Sequence, residues 1–193
     1  MKQPSAIWTI GHSTRSLEQF VEVLRQHRIE AIADVRRFPG SRRLPQFGGD
    51  TLRSALAEHG IDYCWFEALG GRRRAHADSQ NMAWRNASFR GYADHLQSTE
   101  FAEGLARLLE LAARRRTAMM CAELLWWRCH RSLVSDVLKV RGIEVLHIQD
   151  DTPAIPHPFT APARLVDGRL SYVPGRGEAL GKQARNEQIS LDL

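Results

Sequence analysis

The apolar residues of this 193-residue chain switch repeatedly between a strand-like and a helix-like period. "AIWTI" (6–10) is a short β-rich run that ends at Gly11. "SLEQFVEVLRQH" (16–27) puts Leu17, Phe20, Val21 and Leu24 on one helical face, with Ser16 placed to cap it. "IEAIADVR" (29–36) reads as a second strand, and "DTLRSALAEHG" (50–60) as a helix capped by Asp50 and ended by Gly60. "IDYCWF" (61–66) is a third strand; a basic, polar loop and two helices within 89–116 follow. "TAMMCAE" (117–123) is a fourth strand, "CHRSLVSDVLKVRG" (129–142) a helix ended by Gly142, and "IEVLHI" (143–148) a fifth strand. Returning to one sheet in the same direction requires a crossover, and helices in the crossovers cover both faces. The expected fold class is therefore α/β: a three-layer domain with a mostly parallel sheet flanked by helices, plus a C-terminal β-hairpin.

That hairpin is expected within "ARLVDGRLSYV" (163–173), where Asp-Gly supplies the turn, after a proline-rich, extended "TPAIPHPFTAPA". Residues 1–173 are read as one domain and 174–193 as a polar, disordered tail whose last six residues are a separate signal. There is no internal repeat.

With 43% hydrophobic and 25% charged residues the composition is that of a soluble globular chain long enough to bury a core. No apolar run approaches membrane-span length, and the N-terminus lacks the apolar stretch of a signal peptide, so a cytoplasmic location without membrane association is expected. Three cysteines, Cys64, Cys121 and Cys129, cannot all pair with one another and read as thiols. Of 27 basic residues only Lys2, Lys139 and Lys182 are lysine, so the excess is of arginine, which grips phosphate bidentately. A compositional bias of the genome gives the same excess without functional meaning. The clusters Arg36-Arg37, Arg42-Arg43 and Arg72-Arg73-Arg74 are more informative; Arg114-Arg115-Arg116 only complements a helix C-terminus.

In open parallel sheets ligands bind beyond the carboxyl ends of the strands. Polar residues fall there strand by strand: His12-Ser13 after the first, Asp34 and Arg36 with Pro39 and Ser41 after the second, Gly70-Gly71 after the third, Cys121 and Glu123 after the fourth. Cys129-His130-Arg131 opens the next helix, where dipole and free amides favour an anion. Each has a plain alternative. Cys121 is a core thiol, a nucleophile or a metal ligand; six residues separate it from Arg128, one more than in the usual phosphatase loop. Cys129 can simply pack inward. Asp34 and Glu123 are an acid/base pair or ion-pair partners of arginine. His12 is a base or an anion donor, His147 an interior histidine, and Trp126 and Trp127 pack or stack a base. The Cys-x7-Cys-His spacing matches no common zinc pattern, so no metal is expected, and no cofactor is specified.

"TIGHS", "DVRRFPGSRRLPQF", "LGG", "FRGYADHL", "MCAELLWWRCHR" and "HI" occur in this order across residues 7–173. In this the chain resembles the bacterial family catalogued as domain of unknown function 488 (DUF488). The resemblance implies a compact α/β domain whose shared polar residues map onto His12, Ser13, Asp34, Arg36, Pro39, Ser41, Gly70, Gly71, Cys121, Glu123, Cys129, His130 and Arg131. It specifies no reaction, although some members carry a DNA-repair label.

The chain closes on "QISLDL", which resembles the bacterial sliding-clamp-binding peptide. Gln188 would anchor one pocket while Leu191 and Leu193 fill an apolar one beside it; the alternative is that the segment folds back on the domain. The leading expectation is a DNA-associated protein of repair or nucleic-acid processing. Asp34, Cys121, Glu123 and His130 are its catalytic candidates, and His12, Ser13, Arg36, Ser41, Gly70, Gly71, Cys129 and Arg131 its anion-binding ones. The alternatives are a non-catalytic adaptor that binds a nucleotide or phosphorylated ligand, and a cysteine-dependent enzyme acting on a small molecule.

Overall fold

The structure is a computed structural model that describes residues 3–40, 42–150 and 152–175. Among the described residues, one six-stranded sheet runs in the order β3-β2-β4-β1-β5-β6. Its strands are β1 (Ala6–Gly11), β2 (Ala31–Asp34), β3 (Asp62–Trp65), β4 (Thr117–Cys121), β5 (Glu144–Ile148) and β6 (Ile155–Pro156). The first five are mutually parallel, as the alternation requires. β6 pairs antiparallel with β5, so the proline-rich segment adds an edge strand the sequence did not disclose. β7 (Arg164–Val166) and β8 (Arg169–Ser171) form the hairpin, and Asp167 and Gly168 at φ 49° and 74° give the left-handed turn that suits strand twist.

Period-2 alternation splits each central strand between two cores. Trp8, Ile10, Ile32, Ala118 and Met120 face α1 (Leu17–Gln26) and α2 (Gly49–Glu58). Ile7, Ala33, Met119 and Val145 face the side covered by α3 (Ala87–His95), α4 (Thr99–Ala112) and α5 (Arg131–Val140). This is the three-layer arrangement. No helix among the described residues is long and apolar enough to cross a membrane.

Local chemistry sets the helix boundaries, as expected at Ser16, Gly60 and Gly142 and differently at Asp50 and Cys129. Ser16 caps α1 and forms a reciprocal box with Gln19. Gly60 and Gly142 both take positive φ just past their helices. Asp50 is not a cap: the 3-10 turn Pro45–Phe47 runs into α2, Gly48 becomes the cap, and Asp50 sits in the first turn. α5 starts at Arg131 rather than Cys129, because a 3-10 turn at Trp126–Arg128 intervenes and Cys129 stays extended.

The hairpin region is tied to the sheet by a buried polar chain. Asp136 of α5 accepts hydrogen bonds from Thr160 Oγ1 (2.5 Å), Tyr172 OH (2.7 Å) and His157 Nε2 (3.0 Å). His157 Nδ1 accepts from His147 Nε2 at 2.9 Å, and His147 Nδ1 accepts from Thr9 Oγ1 at 2.7 Å. Trp126 stacks on His147 at 4.2 Å. His147 is thus the interior histidine expected. Burial first, then the neighbouring His157 and Arg131, lower its pKa from 6.5 to about 2.

The folded protein therefore refuses a proton that the unfolded chain accepts below its ordinary histidine pKa. This contribution to stability is complete above pH 6.5 and is lost as pH falls towards about 2. Urea unfolding at about pH 5 should show roughly 2 kcal/mol less stability from this group than at about pH 7.5. His147→Gln should remove that share of the acid loss; an equal pH dependence in variant and wild type would show that His147 is not the group responsible.

Candidate functional site

β1 and β4 are neighbours, yet their connections leave in opposite directions, β1 towards β2 and β4 towards β5. Such a switch point leaves a crevice beyond the carboxyl ends of the two strands. Backbone bonds from His12 N to Cys121 O (2.9 Å) and Ser13 N to Ala122 O (3.0 Å) extend the ladder past both strand ends. The chain after β4 then crosses directly over Gly11, where a Cβ would stand 2.0 Å from the Glu123 carbonyl. Only glycine fits there.

A cavity of about 670 Å³ occupies this crevice. Its floor includes Cys121, Cys129 and His130; its walls include His12 and Ser13 after β1, Arg36 to Phe38 after β2, and Gly71 and Arg72 after β3. Polar groups from separate segments therefore meet at one edge. Ser13 and Arg72 adopt positive φ of 52° and 59°, a strained conformation that a rim held by its surroundings can sustain.

Sulfur and imidazole dominate the floor. The Cys121, Cys129 and His130 ligand atoms all lie within 4.8 Å of one another. His130 Nε2 donates to the Val35 carbonyl at 2.9 Å, which turns its Nδ1 lone pair to Cys129 Sγ, 3.6 Å away. The ring fits because position 71 is glycine: a Cβ there would lie 2.7 Å from Nδ1. Tyr92, which donates to the Leu69 carbonyl at 2.7 Å, packs against the same ring. Arg131 Nε donates to Cys129 Sγ at 3.3 Å, and its Nη2 donates to the Glu123 carbonyl. Burial works against a Cys129 thiolate, yet the hydrogen bond from Cys121 and the positive Arg131 hold its pKa well below the ordinary thiol value. The hydrogen bond to Cys129, with burial, pushes Cys121 up. The proton of the pair resides on Cys121.

Several candidates take positions different from those their residue types suggested. Asp34 is completely buried and does not line the cavity. Arg36 grips it through Nε (2.8 Å) and Nη2 (2.5 Å), and Tyr63 OH donates to it at 2.6 Å. Arg36 also donates to the Phe47 carbonyl at 2.9 Å and to His12 Nε2 at 3.3 Å. Pulling Arg36 onto a ligand would strand a buried carboxylate at a cost of about 3–5 kcal/mol. A new charged hydrogen bond returns only about 1.5–3 kcal/mol. Arg36 therefore stays with Asp34 and shapes the wall. Arg131, 1% exposed, is likewise committed to its sulfur and carbonyls.

His12 donates from Nδ1 to the Ser13 carbonyl and stacks on Phe47 at 4.2 Å; burial, then Arg36, lowers its pKa to about 4, so the ring is neutral. Glu123 lines the cavity, with Oε1 accepting from Leu125 N at 3.3 Å. Gly70 packs beneath Arg37, where a Cβ would meet its Cα at 2.8 Å. Pro39 holds the loop through its carbonyl, bonded to Gly49 N. Ser41 and the tail residues Gln188, Leu191 and Leu193 lie outside the described residues.

The cations available at the rim are others. Arg37 and Arg73 are bound to Glu100. Arg43, Arg72 and Arg128 line the cavity, exposed, and none has an acidic partner among the described residues. Phe38, 64% exposed, stands beside Arg72, whose guanidinium lies 5.9 Å from the ring. Sequence reasoning passed over Phe38, Tyr92 and Arg128 as site residues; a lone aromatic between arginine pairs was the available signal for Phe38.

Comparison with curated proteins finds no match, and comparison with solved structures finds none either. A protein-family model described as "Domain of unknown function DUF488" matches residues 16–138, from the cap of α1 through most of α5. That span is narrower than the motifs from 7 to 173 and omits β1 and β5, yet it holds the Asp34–Arg36 pair, the glycine loop and the whole thiol–imidazole floor. With more than half of its length under this match, the chain belongs to the family of domain of unknown function DUF488.

Proposed function

We propose that the chain binds a phosphate-bearing nucleotide or a segment of nucleic acid in the switch-point cavity. The carrying observation is the set of exposed arginines, Arg43, Arg72 and Arg128, that rim a crevice floored by Cys121, Cys129 and His130. Exposed arginines give up no buried partner when they meet phosphate, unlike Arg36 and Arg131. Phe38 beside Arg72 offers a face on which a base can stack. The chemistry of such a site belongs to sulfur and imidazole, since Asp34 is sealed behind Arg36.

Fluorescence anisotropy with a short labelled single-stranded oligonucleotide tests this. Joint Arg43→Ala and Arg72→Ala substitution should weaken binding about tenfold or more and flatten the salt dependence by up to roughly two phosphate contacts. Phe38→Ala should weaken it by about 1–3 kcal/mol with the salt slope unchanged. Binding that ignores salt and all three substitutions would overturn the assignment.

The C-terminal Gln188-Ile189-Ser190-Leu191-Asp192-Leu193 supports association with DNA through a separate route, docking on a sliding clamp. Pull-down with purified clamp should recover the full-length chain and lose it when residues 188–193 are deleted. Equal recovery of both would remove the clamp from the account and leave the cavity untouched.

A further inference from the structure

We infer that Cys121, Cys129 and His130 form a binding site for a zinc-like divalent transition metal, with one coordination position open to the cavity. The spacing in the chain gives no hint of this, because the strand end and the start of α5 meet only in the fold. Their ligand atoms lie within 4.8 Å of one another. For zinc–sulfur and zinc–nitrogen bonds of about 2.3 and 2.0 Å, a tetrahedral angle separates sulfur from nitrogen by about 3.5 Å. Cys129 Sγ and His130 Nδ1 stand 3.6 Å apart.

The surroundings match those of a metal site in three further respects. A ligating histidine characteristically donates its other ring N–H to a carbonyl or carboxylate, and His130 Nε2 donates to the Val35 carbonyl. The Arg131 Nε–H directed at Cys129 Sγ supplies an outer hydrogen bond to a thiolate ligand. Gly71 leaves the space that lets the imidazole reach this position. Two thiolates neutralise a divalent charge, so the buried arginine beside them meets no net cation. Thiolate with imidazole selects zinc over magnesium or calcium, which demand oxygen.

All three residues line the cavity, so a ligand enters the remaining position from that side. Three protein ligands and an open position are the pattern of metal centres that act on a substrate, whereas structural centres are closed by four. The identity of that incoming ligand rests on the proposed phosphate-bearing substrate; metal binding itself does not.

The test is to reduce the full-length protein, strip it with chelator and reload it with zinc. One zinc per chain is expected, with X-ray absorption showing two sulfur ligands at about 2.3 Å and the remainder nitrogen or oxygen. This measurement needs no variant. Cobalt in place of zinc should give sulfur-to-metal charge-transfer absorption that Cys64→Ser retains and that Cys121→Ser and Cys129→Ser each diminish. Gly71→Ala, which displaces the imidazole without removing a ligand, should lower zinc affinity roughly 10–100-fold. A zinc shell without sulfur, or no uptake by reduced protein whose cysteines pair with each other in air, would overturn the inference. Oligonucleotide binding by the stripped protein reports on the arginine rim separately, so failure of one assignment is distinguishable from failure of the other.

Discussion

The molecule is organised by the side-by-side ending of β1 and β4. The two strands send their chains to opposite faces of the sheet, and the segment after β4 crosses their shared edge at Gly11, beside the crevice. The backbone bonds of His12 to Cys121 at the end of β4 and of Ser13 to Ala122 just beyond it hold that edge together. Gly11 lets the Glu123 carbonyl pass where any side chain would collide. The residues that line the cavity are hung from this frame. β4 supplies Cys121, the turn beyond it swings Cys129 and His130 back, and the segments after β2 and β3 supply the arginine rim.

Charge in this protein is divided between two tasks. Buried charges hold geometry: Asp34 and Arg36 lock the loop after β2, and Asp136 anchors Thr160, His157 and Tyr172. Breaking one partner of such a group costs several kcal/mol, so these residues are poor candidates for work that requires them to move. Exposed charges are worth little to stability and are free to meet a ligand. Burial thus sorts the arginines better than sequence clustering did. Adjacent members of one pair, Arg36 and Arg37, end up as a sealed anchor and a surface ion-pair partner.

The alternation of apolar periods disclosed the α/β class, the parallel sheet and the Asp-Gly hairpin, because each depends on local pattern and backbone chemistry. It also gathered polar residues at the strand ends that line the cavity, whatever their roles. Roles were less legible. Whether Asp34 faces a ligand depends on Tyr63, a residue of another strand, and on which way Arg36 turns. The orientation of His130 is set by the Val35 carbonyl, which has no side-chain signature, and by a side chain that Gly71 lacks. The thiol–imidazole cluster joins residues whose spacing matches no common motif, so it exists only once β4 and α5 are in place. β6 was hidden because two residues, one of them Pro156, carry too little periodicity to read as a strand.

The central claim is that ligand meets protein at the crevice between β1 and β4. The most direct measurement is to titrate a nucleoside monophosphate into isotope-labelled, full-length protein and follow the backbone amides by NMR. The largest shifts should fall on the segments that follow β1, β2 and β4 and on the loop around Gly71 and Arg72, with the β7–β8 hairpin unmoved. No shifts at millimolar-scale ligand, or shifts centred on the hairpin and absent from the crevice, would contradict the account.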